Sequence, residues 1–102
     1  MNEFVAFVQD QLSHLDGVTV RPMFGAHGLY LRGSFFAIAY DDRLYLRTDD
    51  ATRPKFLEAG MAPFRPPKGP TIGSYYEVPA DVLDDRELLA EWAEEAAATH
   101  GG

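Results

Sequence analysis

The sequence contains no cysteine, so it has no disulfide framework, no thiolate zinc site and no cysteine nucleophile. Redox chemistry by protein thiols is excluded with them. No apolar run approaches the roughly 18–20 residues needed to cross a bilayer, and residues 1–10 lack the basic start and long apolar stretch of a signal peptide. The expected location is therefore the cytosol, with no membrane partner. Bases are scarce: 9 Lys and Arg stand against 16 Asp and Glu, a formal net charge of −7, which argues against broad attraction to nucleic acid. Histidine is scarce too. His14 follows Asp10 by four residues, but a single helical pair is not a metal site. His14 reads instead as a charge near a helix C-terminus, and His100 as part of a frayed tail. Gly69 and Gly73 lack the lysine-serine ending of a phosphate loop, and Ser34 and Ser74 lack a glycine-framed nucleophile pattern. The expectation is no metal, no cofactor, no catalytic residue and no enzymatic activity.

What is present describes one globular unit. The chain has 102 residues, 46% hydrophobic and 13% aromatic, which fits a single domain over 1–102 rather than a disordered chain. Charge is unevenly spread. Residues 1–20 carry three acids and no base, and residues 71–102 carry eight acids against Arg86 alone, while residues 21–70 hold eight bases against five acids. That middle segment is the one charge feature that bears on partners.

Asn2 is positioned to cap a first helix, in which Phe4, Val8, Leu12 and Leu15, with Val5 and Phe7 alongside, recur at helical spacing up to Gly17. Val18 and Val20 then alternate with polar residues until Pro22, predicting a short strand followed by a bend that holds His27 between Gly25 and Gly28. Strands over 29–31, 35–40 and 44–47, joined by Arg32-Gly33-Ser34 and Asp41-Asp42, predict an antiparallel meander with 35–40 central. Strict alternation puts Phe36, Ile38 and Tyr40 on one face and Phe35, Ala37 and Ala39 on the other. Thr48, Asp49, Asp50 and Thr52 offer caps for a second helix through Phe56 and Leu57 to Gly60, with Pro54 in its first turn. Residues 61–70 hold four prolines and predict an irregular or polyproline-like surface loop. A strand over 74–78 follows, then a last helix capped by Asp84 and Glu87 with the stripe Leu88, Leu89, Trp92, Ala93 and Ala96. The sum is a two-layer α+β domain with helices on one face of a mainly antiparallel sheet. The other face is either solvated or paired with a partner.

The segment Arg21-Pro22-Met23-Phe24-Gly25-Ala26-His27-Gly28-Leu29-Tyr30 closely resembles the signature of the TfoX N-terminal domain family. Phe36-Ala37-Ile38-Ala39, Asp42 through Arg47, Ala51-Thr52, Tyr75-Tyr76-Glu77-Val78-Pro79 and Leu89-Ala90-Glu91-Trp92-Ala93 extend the resemblance over nearly the whole chain. Ala26 stands where the family often has a second glycine. The resemblance implies a two-layer α+β fold similar to secretion chaperones. It further implies a regulator of natural competence for DNA transformation, acting with a cyclic-AMP-dependent transcription activator. Such regulators usually carry a C-terminal helical domain, and the expectation for residues 1–102 is a single domain without it. Arg21, Pro22, Met23, Phe24, Gly25, His27, Gly28 and Tyr30 are carried over as a signature segment that is either a binding site or a bend.

The leading expectation is thus a non-enzymatic regulatory module that binds another protein, a transcription activator or a second copy of itself. Direct nucleic-acid binding stands as the alternative, with Arg32, Arg43, Arg47, Arg53, Arg65 and Lys68 on phosphates and Tyr30, Tyr40, Tyr45, Tyr75 and Tyr76 as stacking platforms. A small-ligand site at Arg21, His27 and Tyr30 is the third.

Overall fold

The computed structural model describes residues 2–23 and 25–99. Helix α1 spans Glu3–Gln11, because the Asn2 side chain accepts the otherwise orphaned N–H groups of Phe4 and Val5. Val5, Val8 and Leu12 are buried from this helix, whereas Phe7 is exposed. Strands β1 (Val18–Met23), β2 (Ala26–Leu31), β3 (Ser34–Tyr40) and β4 (Arg43–Arg47) form the meander. Helix α2 (Arg53–Glu58), strand β5 (Pro63–Phe64), strand β6 (Ile72–Glu77) and helices α3 (Ala80–Leu83) and α4 (Arg86–Ala98) complete the chain. The six strands lie in the order β1-β2-β3-β4-β6-β5, antiparallel at every step.

The tight turns explain the meander. Arg32 and Gly33 have φ of 49° and 85°, and Asp41 and Asp42 have φ of 52° and 58°. Two successive positive φ values match the twist of a two-residue hairpin, and aspartate tolerates them better than most residues. Arg32 is held there on both sides: its N–H donates to the Gly17 carbonyl at 2.8 Å, and its guanidinium donates to Glu94 at 2.7 Å and to the Asp16 carbonyl at 2.8 Å.

Helix α4 lies over β2, β3 and β4, with α1 and α3 against it and α2 on β6. One layer of side chains fills the space between. Phe36, Leu29, Leu44 and Leu46 from the sheet meet Val8, Leu12, Phe56 and Leu89 from the helices. Ala37, Ala39, Ala93 and Ala96 are buried between them and let α4 approach β3 closely. The Phe56 ring packs edge-on against Trp92 at 5.0 Å.

Several expectations are corrected. The first strand does not stop at Pro22 but continues to Met23, since β1 is an edge strand and a missing ladder donor is tolerated there. His27 sits inside β2, paired with Pro22 and Ala39, as does Gly28, whereas Gly25, with φ of 80°, belongs to the turn. Strict alternation fails in β3: Leu29 pairs with Ala37 and Tyr30 with Phe35, so Phe36 is an extra, bulged residue. The bulge turns Phe36 into the helix-covered core with Ala37 and leaves Phe35 on the opposite face. The proline-rich segment contains a strand, β5, that pairs with β6. The last helix is capped by Asp85, whose carboxylate accepts the Leu88 N–H at 3.0 Å, and not by Asp84, which ends the short helix α3. Thr52 precedes α2 without a side-chain cap. Asp49 instead closes the preceding turn by accepting from Ala51 and Thr52.

Candidate functional site

The sheet face turned away from the helices carries a second, smaller cluster of apolar side chains, built from Ala26, Ile38, Tyr45, Phe64 and Tyr75 with Phe35 and Tyr40 packed against it. Its rings form two contiguous groups. Tyr30, Phe35 and Tyr75 follow one another at 5.1 and 5.5 Å, and Phe64 is wedged between Tyr40 at 5.8 Å and Tyr45 at 4.9 Å. The Arg21 guanidinium lies 5.5 Å from the Tyr30 ring centre, a cation–π arrangement. Gly28 is the floor beneath: a Cβ there would lie 2.8 Å from Met23 Sδ and 3.0 Å from Phe35 Cε1. Only glycine lets both side chains close over β2 at this point.

Two hollows open on this face, one on each side of Tyr40. An apolar one of about 270 Å³ is bounded by Met23 and Ala26 of the first hairpin, Ile38 of β3, and Phe64 and Ile72 of β5 and β6. Pro66, Pro67 and Lys68 complete its rim. A polar one of about 400 Å³ includes Asp41, Arg43, Tyr45, Arg65 and Glu77. In the polar hollow Arg43 lies between Asp41 at 3.7 Å and Glu77 at 3.6 Å. Burial pushes the Tyr45 phenol above its ordinary value of 10.0, Glu77 adds to the rise, and Arg43 opposes it. Burial likewise raises Tyr75, against the pull of Arg47.

The signature segment is split by the pleat. Arg21, Met23, Gly28 and Tyr30 belong to the open face. His27 occupies the intervening register on β2 and faces the helix side, opposite Ala39, so it does not converge with Arg21 and Tyr30. Pro22 is exposed on the edge strand. Phe24 and His100 lie outside the described residues. His14 is exposed at the end of α1.

The six candidate phosphate contacts do not form one surface. Arg32 and Arg43 sit at turns on opposite ends of β3. Arg32 is bound to Glu94, and Arg53 to Asp50 and the Thr48 hydroxyl. Arg47 donates through Nε to Thr99 Oγ1 at 2.8 Å, and through Nη2 to Ser34 Oγ and the carbonyls of Ala97 and Thr99, each at 3.2 Å. Arg65 and Lys68 have no ion pair among the described residues. Of the five tyrosines, Tyr76 belongs to the helix-side core, and the rings of the other four are in contact with neighbouring aromatics, Tyr30 also with Arg21. Among the described residues, no group of three or more His, Asp or Glu is placed to hold a metal ion.

Residue-by-residue reading missed the hollow-forming set Ile38, Phe64, Pro66 and Ile72. These positions lie on three separate segments, and the one signal available was that apolar Phe64 and Ile72 flank a proline-rich stretch with no other core role.

A six-stranded antiparallel sheet covered by helices on one face and hollowed on the other defines a two-layer α+β domain of the open-faced class. No helix among the described residues is long and apolar enough to cross a membrane. The TfoX N-terminal domain model matches residues 10–99, and the chain belongs to that family. A comparison with curated proteins finds no match.

Proposed function

We propose that the protein is a non-enzymatic regulatory module of the cytosol that acts by docking another protein on its open sheet face. The observation that carries this reading is an apolar hollow on the sheet face that no helix covers: half-buried Met23 and Tyr40 and exposed Ile72 surround buried Ile38 and Phe64. Membership of the TfoX N-terminal domain family supports a role in transcription regulation, of which competence is the family's instance. A photo-crosslinking amino acid at Ile72, on the rim, is the test, with the same group at exposed Glu91 of α4 as control. A discrete protein adduct from position 72 and none from position 91 is expected. Equal adducts from both positions, or none from position 72, refute the reading.

Nucleic-acid binding is the second reading, favoured by one observation: Arg65 and Lys68, which have no ion pair among the described residues, share a loop beside this face. Anisotropy titrations with duplex and single-stranded DNA at low and physiological salt decide it, since phosphate contacts weaken steeply with salt. Engaged tyrosine rings and the −7 charge predict no binding at physiological salt.

A further inference from the structure

The geometry points to a binding site for a small amphipathic carboxylate, with its apolar body in the 270 Å³ hollow and its carboxylate at Lys68. The hollow has a buried apolar floor and an exposed apolar edge. Ile38 and Ala26 at its base are 1% and 7% exposed, yet Ile72 at its edge is 37% exposed, one of three large hydrophobic residues so placed among those described. Ala26 matters by what it lacks: any larger side chain at that position would fill the cavity it borders. At about 30 Å³ per water the volume holds about nine waters, comparable to a phenyl ring with a short alkyl tail. Sites of this kind are mostly apolar with one or two polar groups that fix orientation.

The charge around the hollow selects the polar end. None of its lining residues is acidic, and Lys68 is its one charged group. Arg32, Arg43, Arg53, Lys55 and Arg86 are each held by a carboxylate, and Arg47 by hydroxyls and carbonyls. Arg21 lies over the Tyr30 ring, and Lys68 and nearby Arg65 have no carboxylate partner among the described residues, in a chain whose net charge is −7. A cationic ligand gains nothing from that rim, whereas a monoanion gains an ion pair beside an apolar surface. The proposal does not rest on protein docking at this face; a ligand in the hollow would compete with a docked partner for Ile72 and Phe64.

The test is an amide chemical-shift titration of the full chain with 4-phenylbutyrate, 4-phenylbutanol and 4-phenylbutylamine. Saturable shifts are expected at Ala26, Ile38, Phe64, Lys68 and Ile72, with a Kd in the low millimolar range for so small a probe. The carboxylate should bind about fivefold more tightly than the alcohol, as an exposed ion pair allows, and the advantage should shrink with salt. Lys68→Gln, a change on an exposed loop, should abolish the preference and leave alcohol binding intact. Ala26→Leu should abolish both. Equal affinity for alcohol and carboxylate, or a preference that survives Lys68→Gln, overturns the proposal. Shifts that grow with protein concentration alone assign the hollow to a second copy. Inert carboxylates with protein adducts from Ile72 assign it to a protein partner, and either result likewise overturns it.

Discussion

Replacing Arg47 by methionine separates a structural guanidinium from a binding one. Helix α4 has no basic residue in its last turn, so its terminal carbonyls lack the cation that commonly sits there. Arg47 supplies it from β4, reaching the carbonyls of Ala97 and Thr99 and the hydroxyls of Thr99 and Ser34. Ser34 itself donates to the Ala97 carbonyl at 3.0 Å, so one network ties the end of the helix to the sheet. Methionine keeps much of the stem and removes every donor. A hydrogen bond to a charged group contributes about 1.5–3 kcal/mol, but Nη2 has two hydrogens for three acceptors at 3.2 Å, and the bonds share a single network. The expected loss is therefore about 2–4 kcal/mol, well below a simple sum. Out of a total near 5–15 kcal/mol, it lowers the melting temperature by about 10–20 °C. Urea unfolding followed by circular dichroism measures it. Arg47→Lys, which keeps the charge without the planar fork, should recover about half of the loss. A loss under about 0.5 kcal/mol for Arg47→Met would mean that Arg47 is an ordinary surface charge, and this account of the sheet-to-helix tie would fall.

Three further outcomes are checked by the same unfolding measurements. Asp85→Ala should cost about 1 kcal/mol through loss of the Leu88 N–H acceptor, while Asp84→Ala should stay within about 0.5 kcal/mol; equal effects refute the cap assignment. Phe56→Ala, which empties a site 2% exposed beneath Trp92, should cost about 3–5 kcal/mol and shift the tryptophan emission, and a small effect would show that the core collapses around the gap. Tyr45 and Tyr75 have raised pKa values in the folded chain, chiefly from burial. Their stabilising contribution is therefore complete below about pH 10 and is lost as pH rises through 10, where the unfolded phenols ionise first. Both should ionise in step with alkaline unfolding in an ultraviolet titration. Ionisation of Tyr45 and Tyr75 before the fold is lost contradicts it.

What could be read in the chain and what could not divides by the range of the interaction responsible. The Asn2 cap, the turns at Arg32-Gly33, from which the structure removes Ser34 into β3, and at Asp41-Asp42, and the stripe of α4 are local, set by residues within one turn or one hairpin. Each is legible, and together with the resemblance at residues 21–30 they were enough for the fold class. Choices between near-equivalent neighbours are less legible. Asp84 and Asp85 are both good caps, and only the four-residue helix α3, which packs on α4 and uses Asp84 as its own end, decides between them. The bulge at Phe36 is of the same kind. Alternation assigns Phe35 and Phe36 correctly as opposite in direction but in the wrong sense, because one residue without a partner reverses the phase of everything before it.

The open face was least legible because nothing local encodes it. Arg47 reads as a free cation until it is seen 52 residues away from the Thr99 hydroxyl it holds, so a count of bases in residues 21–70 overstated the charge offered to a partner. The hollow has the converse history: Ala26, Ile38, Phe64 and Ile72 are each unremarkable strand residues, and the cavity exists only because the proline-rich segment carries Phe64 back into the sheet as β5. Prolines there remove backbone donors at the sheet edge, which stops a further strand from adding outside β5. They also hold Pro66, Pro67 and Lys68 over the face instead of along it. The same composition that argued for an irregular loop thus builds the one wall that turns a flat apolar sheet into a site with a defined volume and a single positive rim.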